Sequence, residues 1–258
     1  MTPSTSSRSI TPVPPLAPDP ISRRNRCELV RSRGAWTLSD DCVLTSQLTL
    51  PARVSLDGGG HTITLAGDAE GFESAAIRVT GGDITNLIVD GCQLLPLAPA
   101  YFAAIAVSAP GRISGVSVRN VEFAGAPHSA VGIEVAAFGY EQATATGVHL
   151  ANITGAGLML TGDGRVQANR ITATGATAAV QVTGRISATL SHLTTDNATI
   201  RVLAQDQSRV QIVGPSSAGA IAPQDEARVQ QDTLTFVATW DRAHRSVPAA
   251  AAPHNQLG

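Results

Sequence analysis

The chain has 258 residues, of which 43% are hydrophobic and only 3% aromatic, with a formal net charge of -2. All 18 basic residues are arginine, and they form no long basic run. These values predict a single domain with an aliphatic core, and they exclude the charge pattern typical of nucleic-acid-binding or membrane-surface proteins.

Residues 1–20 are rich in Ser, Thr and Pro, which predicts a disordered leader. No apolar stretch of signal-peptide length follows a basic start, and no apolar run is long enough to span a membrane. The chain taken as given is therefore expected to be cytoplasmic, or secreted if a leader was removed.

Residues 21–34 are rich in arginine and are expected to cap one end of the domain. Cys27 and Cys42 both lie in or near this cap, and the sequence leaves open whether they form a disulfide. Cys92 lies in a strand-like segment and is interpreted as a core residue. The three cysteines lack the paired spacing of a zinc site.

The most specific local motif is Leu-Asp-Gly-Gly-Gly-His-Thr-Ile at residues 56–63. It lacks the lysine and the following helix of a phosphate-binding loop, so a turn is the better interpretation. The motif resembles one found in the pectate-lyase-like superfamily of right-handed parallel β-helices. The resemblance covers roughly residues 37 to 237, and it implies the fold more strongly than any function.

A short segment of the form small, apolar, variable, apolar recurs through the rest of the chain. Its first apolar residues stand at positions 77, 105, 133, 158, 180 and 200. A repeat of this length is the signature of a solenoid, and the alternation within each segment indicates a strand with one buried face. Each segment is followed by a second apolar one and then by a polar turn, to which we assign Asn120, Asn152, Asn169 and His192.

These patterns predict an all-β protein, a right-handed parallel β-helix of about 7–8 coils with three short strands each. The β-helix domain with its N-terminal cap is expected to span residues 21–245, between the leader of residues 1–20 and a flexible tail of residues 246–258. A last strand is predicted within residues 233–240, and Trp36 and Trp240 are expected to plug the two ends of the core.

The variable residue of each recurring segment should point outward and form the floor of a groove. From the first segment to the last these residues are Arg78, Ala106, Glu134, Met159, Gln181 and Arg201. Long loops before and after the strands carry His128 and four of the nine aromatic residues, including both tyrosines. The middle of this floor has Ala106 and Met159 on either side of Glu134, with aromatic residues around them, and such a mostly apolar surface with few polar groups is typical of a small-molecule pocket.

Glu134 is the only acid on this floor and could act as a general acid or base. The predicted catalytic residues are Glu134, His128 and Tyr140, and the predicted substrate-binding residues are Arg78, Tyr101, Phe102, Ala106, Phe138, Met159 and Gln181. The alternative is that Glu134 is a surface residue paired with Arg78 or with solvent.

The resemblance implies polysaccharide lyases and hydrolases, from which this sequence departs. Calcium-dependent lyases need several carboxylates on the floor, and hydrolases need clustered aspartates, whereas Asp57, Asp90, Asp163 and Asp196 fall mostly at turns. The histidines show no ligand spacing. We therefore expect no metal and no cofactor.

Three functions remain open. The first is an isomerase or cyclase that binds a largely apolar substrate, such as a polyene or a polyketide intermediate. The second is a carbohydrate-active lyase, epimerase or hydrolase, and the third is a non-catalytic binding or structural β-helix. The expected partner is a small-molecule substrate, with no nucleic acid or membrane, and the oligomeric state is left open.

Overall fold

The computed structural model describes residues 27–32, 34–67, 72–94, 101–122, 130–215, 219–231 and 234–237. These residues form short β-strands joined by turns, and no α-helix is found among them. The prediction of an all-β protein is confirmed. The predicted leader of residues 1–20, the tail of residues 246–258 and Trp240 lie outside the described residues.

The strands follow one another in close succession along the chain. The first twelve are β1 (Leu29–Ser32), β2 (Ala35–Leu38), β3 (Cys42–Leu44), β4 (Leu48–Thr49), β5 (Ser55–Asp57), β6 (Thr62–Gly67), β7 (Ala75–Thr80), β8 (Ile84–Thr85), β9 (Ile88–Leu94), β10 (Phe102–Ser108), β11 (Gly111–Ser114) and β12 (Ser117–Val121). They are followed by β13 (Ala130–Ala137), β14 (Gln142–Ile153), β15 (Ala156–Gly162), β16 (Arg165–Thr174), β17 (Ala178–Val182), β18 (Ser187–Asp196), β19 (Ile200–Ala204), β20 (Arg209–Val213), β21 (Ile221–Pro223), β22 (Arg228–Gln231) and β23 (Leu234–Val237).

The strands belong to two sheets, and from β4 onward the chain passes repeatedly from one to the other. The eight-stranded sheet is wholly parallel, in the order β21-β19-β17-β15-β13-β10-β7-β4. The fifteen-stranded sheet is mixed, with parallel pairs throughout its middle and antiparallel pairs, β1 with β2 and β22 with β23, at its ends. Each return of the chain thus adds a strand in parallel to the previous one.

The register of the eight-stranded sheet confirms most of the recurring segments. Ile77, Ile105, Ile133, Leu158 and Val180 are successive partners. The last segment was misplaced by two residues, because Val202 and not Ile200 pairs with Val180.

Arg201 therefore does not lie on the outward floor as predicted. Its side chain is buried, and a guanidinium nitrogen donates a hydrogen bond to Oε1 of Gln231 at 2.6 Å. Burial lowers the pKa of Arg201. The sequence pattern predicted a solvent-facing side chain for Arg201. The structure instead buries this side chain, because Gln231 in β22 accepts its hydrogen bond.

The polar turn residues divide between two bends rather than one. Asn120 and Asn152 share one bend, where Nδ2 of Asn152 donates to Oδ1 of Asn120 at 3.0 Å. Asn169 lies one bend earlier in its repeat, next to His192, whose Nδ1 is 3.2 Å from Oδ1 of Asn169. The sequence did not show that this bend is a separate one, because in the two preceding repeats it is formed by glycines and not by polar residues. These are Gly115 and Gly147, with φ of 63° and 62°.

The glycine motif of residues 56–63 forms the predicted turn, between β5 and β6. Gly59 and Gly60 have φ of 61° and 82°, and the backbone N–H of Gly59 donates to Oδ1 of Asp57 at 3.0 Å. At Gly58 a Cβ atom would lie 2.4 Å from the carbonyl oxygen of Asn86, so only glycine fits.

The N-terminal end of the structure is closed by the antiparallel pair of β1 and β2 and by a disulfide. Cys27 and Cys42 are bonded to each other, which settles the question that the sequence left open. Cys92 is a free thiol and is exposed, so its interpretation as a core residue was wrong. Desolvation and the neighbouring Asp90 raise the pKa of this thiol.

The main core lies between the two sheets and consists almost wholly of Val, Ile, Leu and Ala, as the composition predicts. The aromatic residues Phe72 and Phe102 pack edge to face inside it, with ring centroids 6.0 Å apart. Trp36 is partly buried and packs against the core near its N-terminal end.

Candidate functional site

The outward row of the eight-stranded sheet brings together most of the predicted floor. The strand register places Arg78 beside Ala106, Ala106 beside Glu134 and Glu134 beside Met159. Gln181 follows Met159, and Leu203, not Arg201, continues the row. Because partners in neighbouring strands are about 4.8 Å apart, Glu134 has an apolar neighbour on each side.

A second apolar cluster lies beside this row and is separate from the main core. It consists of buried Ala75, Ala103, Ala106, Val131 and Ala156, with the partly buried Tyr101 and Met159 packed against it. These five residues are at most 6% exposed. The cluster provides an apolar environment immediately next to the Glu134 carboxylate.

Tyr101 joins this cluster to Glu134. Its phenol oxygen lies 3.8 Å from Sδ of Met159, and the Glu134 carboxylate is close enough to act on the hydroxyl electrostatically. Burial, together with the nearby negative charge of Glu134, raises the pKa of Tyr101 well above its ordinary value. Tyr101 is therefore a neutral hydrogen-bond donor throughout the physiological pH range.

Two further polar residues flank the Tyr101–Glu134 pair. A guanidinium nitrogen of Arg78 donates to Oγ of Ser74 at 2.6 Å, which fixes the cation near Tyr101. On the other side, Nε2 of Gln181 donates to Oε1 of Gln205 at 2.7 Å, and Gln205 in turn donates to Gln224 at 2.9 Å. Gln181 is thus engaged in an amide ladder that leads away from Glu134.

Three predicted site residues lie elsewhere than the sequence suggested. Phe102 is completely buried in the main core, because its side chain points to the opposite side of the strand from the floor. Phe138 is 55% exposed and Tyr140 is fully exposed, at the turn between β13 and β14, so neither closes over Glu134. His128 lies outside the described residues.

The aspartates serve mainly as turn residues. Oδ1 of Asp163 accepts the backbone N–H of Gly139 at 2.7 Å, and Oδ2 of Asp206 accepts the N–H of Gly184 at 2.8 Å. Hydrogen bonds from Thr183 and Gly184 lower the pKa of Asp206. Within the described ranges, no group of three or more His, Cys, Asp or Glu residues could hold a metal ion.

No family model matches the sequence, and a search of curated proteins finds no match. In the part of the chain that the structure describes, no helix is long and apolar enough to cross a membrane.

The sequence did not predict how close Tyr101 lies to Glu134, or the hydrogen bond from Arg78 to Ser74. A signal for the second apolar cluster was present, because Ala75, Ala103 and Ala156 all stand just before the recurring segments. No role was predicted for the residues at that position.

Proposed function

We propose that the repeated parallel strands form a right-handed parallel β-helix, as the motif at residues 56–63 suggests. Successive parallel additions to both sheets, with turns at matching positions, support this architecture. In this arrangement the outward face of the eight-stranded sheet is the groove, and Glu134 lies near its middle.

The function best supported by the groove is proton transfer on a small, largely apolar substrate, in an isomerase or cyclase. One observation carries this proposal: a half-buried, neutral tyrosine hydroxyl lies next to a carboxylate beside an apolar cluster. Such pairs supply both a proton acceptor and a fixed hydrogen-bond donor. Substrates of polyene or polyketide type that carry a carbonyl group suit this environment.

In the proposed reaction, the Glu134 carboxylate accepts a proton from the carbon next to the substrate carbonyl. The electron pair of that C–H bond moves toward the carbonyl oxygen, to which the Tyr101 hydroxyl donates a hydrogen bond. Glu134 then returns the proton to another carbon, or the enolate attacks the carbon of a second carbonyl group, closes a ring and leaves an alkoxide, to which Glu134 gives the proton. Proton and electrons balance without an added oxidant or reductant.

The proposal is tested by solvent deuterium exchange. The protein is incubated in D₂O with a panel of polyene and polyketide-like ketones, and mass spectrometry measures deuterium gained at the acidic carbon. Glu134→Gln should lower the exchange rate by about 10²- to 10⁴-fold, and Tyr101→Phe should lower it by a comparable factor. Glu141→Gln, an exposed glutamate a few residues further on, is the matched control and should exchange like the wild type.

Equal exchange by wild type and Glu134→Gln would contradict the acid–base role. If Glu134→Gln lowers turnover only slightly while Met159→Arg abolishes it, the groove would act by positioning its substrate and not by proton transfer. If neither change alters turnover or ligand binding, the non-catalytic alternative becomes the better one.

A carbohydrate-active lyase or epimerase is the second candidate, and the position of Arg78 favours it. A guanidinium fixed by Ser74 near Tyr101 could bind the carboxylate of an acidic sugar, while Glu134 removes the neighbouring proton. Formation of an unsaturated uronate, measured by its ultraviolet absorbance, would support this candidate over the first.

The Cys27–Cys42 disulfide bears on the compartment in which the protein works. Disulfides persist in oxidising environments and are rare in the cytosol. We therefore favour the secreted alternative over the cytoplasmic one that the sequence suggested.

A further inference from the structure

A depression of about 480 Å³ lies on the outward face of the fifteen-stranded sheet, across β18, β20 and β22. It is on the other sheet from Glu134 and has no part in the function proposed above. Its lining residues are Ser187, Ala188, Thr189, Arg209, Val210, Gln211, Arg228 and Gln230. A volume of this size is within the range of small-molecule sites.

The depression is positively charged. Arg209 and Arg228 are direct register partners in neighbouring strands, so their backbones are about 4.8 Å apart. No carboxylate is among the lining residues, and within the described ranges neither arginine forms an ion pair. Two like charges directly opposite each other in a sheet destabilise the fold. The fold therefore bears an electrostatic cost at this point that a bound anion would remove.

The rest of the lining is suited to the same kind of ligand. Ser187 is the register partner of Arg209, and Thr189 is the partner of Gln211. Their hydroxyl and amide groups point to the same outward face and can bond the neutral oxygens of a ligand. Two guanidinium groups on adjacent strands can supply the paired N–H donors that oxyanions prefer.

We propose that this depression binds one phosphate or sulfate monoester group, with Arg209 and Arg228 holding the oxyanion and Ser187, Thr189 and Gln211 contacting the group that it esterifies. Its size and its two adjacent cations fit a single ester group. A long polyanion would require a longer row of cations, and Ser187 interrupts the column between Arg165 and Arg209.

Isothermal titration of the full chain tests the proposal with four probes: inorganic phosphate, inorganic sulfate, a hexose monophosphate and a hexose monosulfate. Arg209→Gln and Arg228→Gln should each weaken binding of the preferred ester at least about tenfold, and binding should weaken as salt is added. Arg112→Gln is the matched control, since Arg112 is exposed on the same sheet but outside the depression, and it should bind like the wild type.

Melting temperatures give a second readout. Without ligand, Arg228→Gln should melt at or above the wild-type temperature because it removes the repulsion, whereas ligand should raise the melting temperature of the wild type by more than that of the variant. Tighter binding of a hexose monoester than of the inorganic ion would show that the depression recognises the esterified group as well as the oxyanion. Absence of binding by all four probes, equal binding by the arginine variants, or much tighter binding of a long polyanion would each overturn the assignment.

Discussion

Tyr101 shows how the folded chain places a loop residue beside a carboxylate. From the sequence it was one aromatic residue in a loop, assigned to substrate binding. In the structure its hydroxyl lies near Glu134, and its ring packs against an alanine-rich cluster. The proposed proton acceptor therefore has a neutral hydrogen-bond donor next to it. The exposed Tyr140, of the same residue type, has no such neighbour in the described part of the structure.

Asp90 is the second residue with a defined electrostatic role, and it stabilises the fold instead of forming a site. Burial by itself would raise its pKa, but hydrogen bonds from Asn120, the Cys92 backbone and Arg119 outweigh burial and lower it. The Arg119 bond is 2.8 Å long. Asp90 thus links a bend of one repeat to the next.

We predict that Asp90→Asn lowers the melting temperature at pH 7 by about 4–8 °C, because bonds to a charged acceptor contribute about 2 kcal/mol. The folded-state pKa is below the unfolded value, so the stabilisation is present above about pH 4 and is lost as the pH falls through the folded pKa. Calorimetry at pH 7 and pH 3 checks this. A difference between wild type and variant that is larger at pH 3 would contradict it.

At the scale of the strand, the contrast between inward and outward positions governs tolerance to substitution. Ile133 is completely buried in the middle of β13, whereas Gln167 on β16 faces solvent. From Ile133 to the end of β13 and along most of β16, buried residues alternate with more exposed ones, and this alternation is the physical basis of the sequence pattern.

Ile133→Asp should prevent folding, because an unpaired charge between the sheets costs more than the whole stability of a typical domain. Gln167→Asp introduces the same side chain on the outward face and should change the melting temperature by only a few degrees. Soluble yield and circular dichroism of the two variants measure the effect. Similar behaviour of both would show that the inward and outward faces are assigned wrongly.

At the scale of the whole molecule, the two ends differ from the repeats. Both are closed by antiparallel strands, which cover edges that would otherwise pair with another chain. The N-terminal end also has the disulfide, which joins residues 15 apart in the sequence.

Replacing Cys27 and Cys42 by serine should destabilise this end by about 3 kcal/mol, the value expected for closing a loop of this length. We expect a lower melting temperature, and faster amide hydrogen exchange in β1 and β2 than in β16. Adding a reductant to the wild type should reproduce the effect. Cys92→Ser is the control, and a loss of stability in that variant of the same size would contradict the assignment.

The sequence by itself determined that the protein is all-β. It also determined the inward strand residues that are register partners from Ile77 to Val180, and the outward row from Arg78 to Gln181. A period of two within each strand and a regular return of apolar residues are local consequences of burying one face, so they can be read without coordinates. The same reasoning identified the glycine motif as a turn.

Only the tertiary structure decided which residues meet across the turns. The bend at Gly115 and Gly147, the two-residue shift that buries Arg201, and the placement of Phe102 in the core all depend on how one repeat is stacked on another. A one-residue difference in turn length reverses the direction of a side chain. Tyr101 comes from a loop and Glu134 from a neighbouring strand, and no local pattern in the sequence encodes that they lie close together.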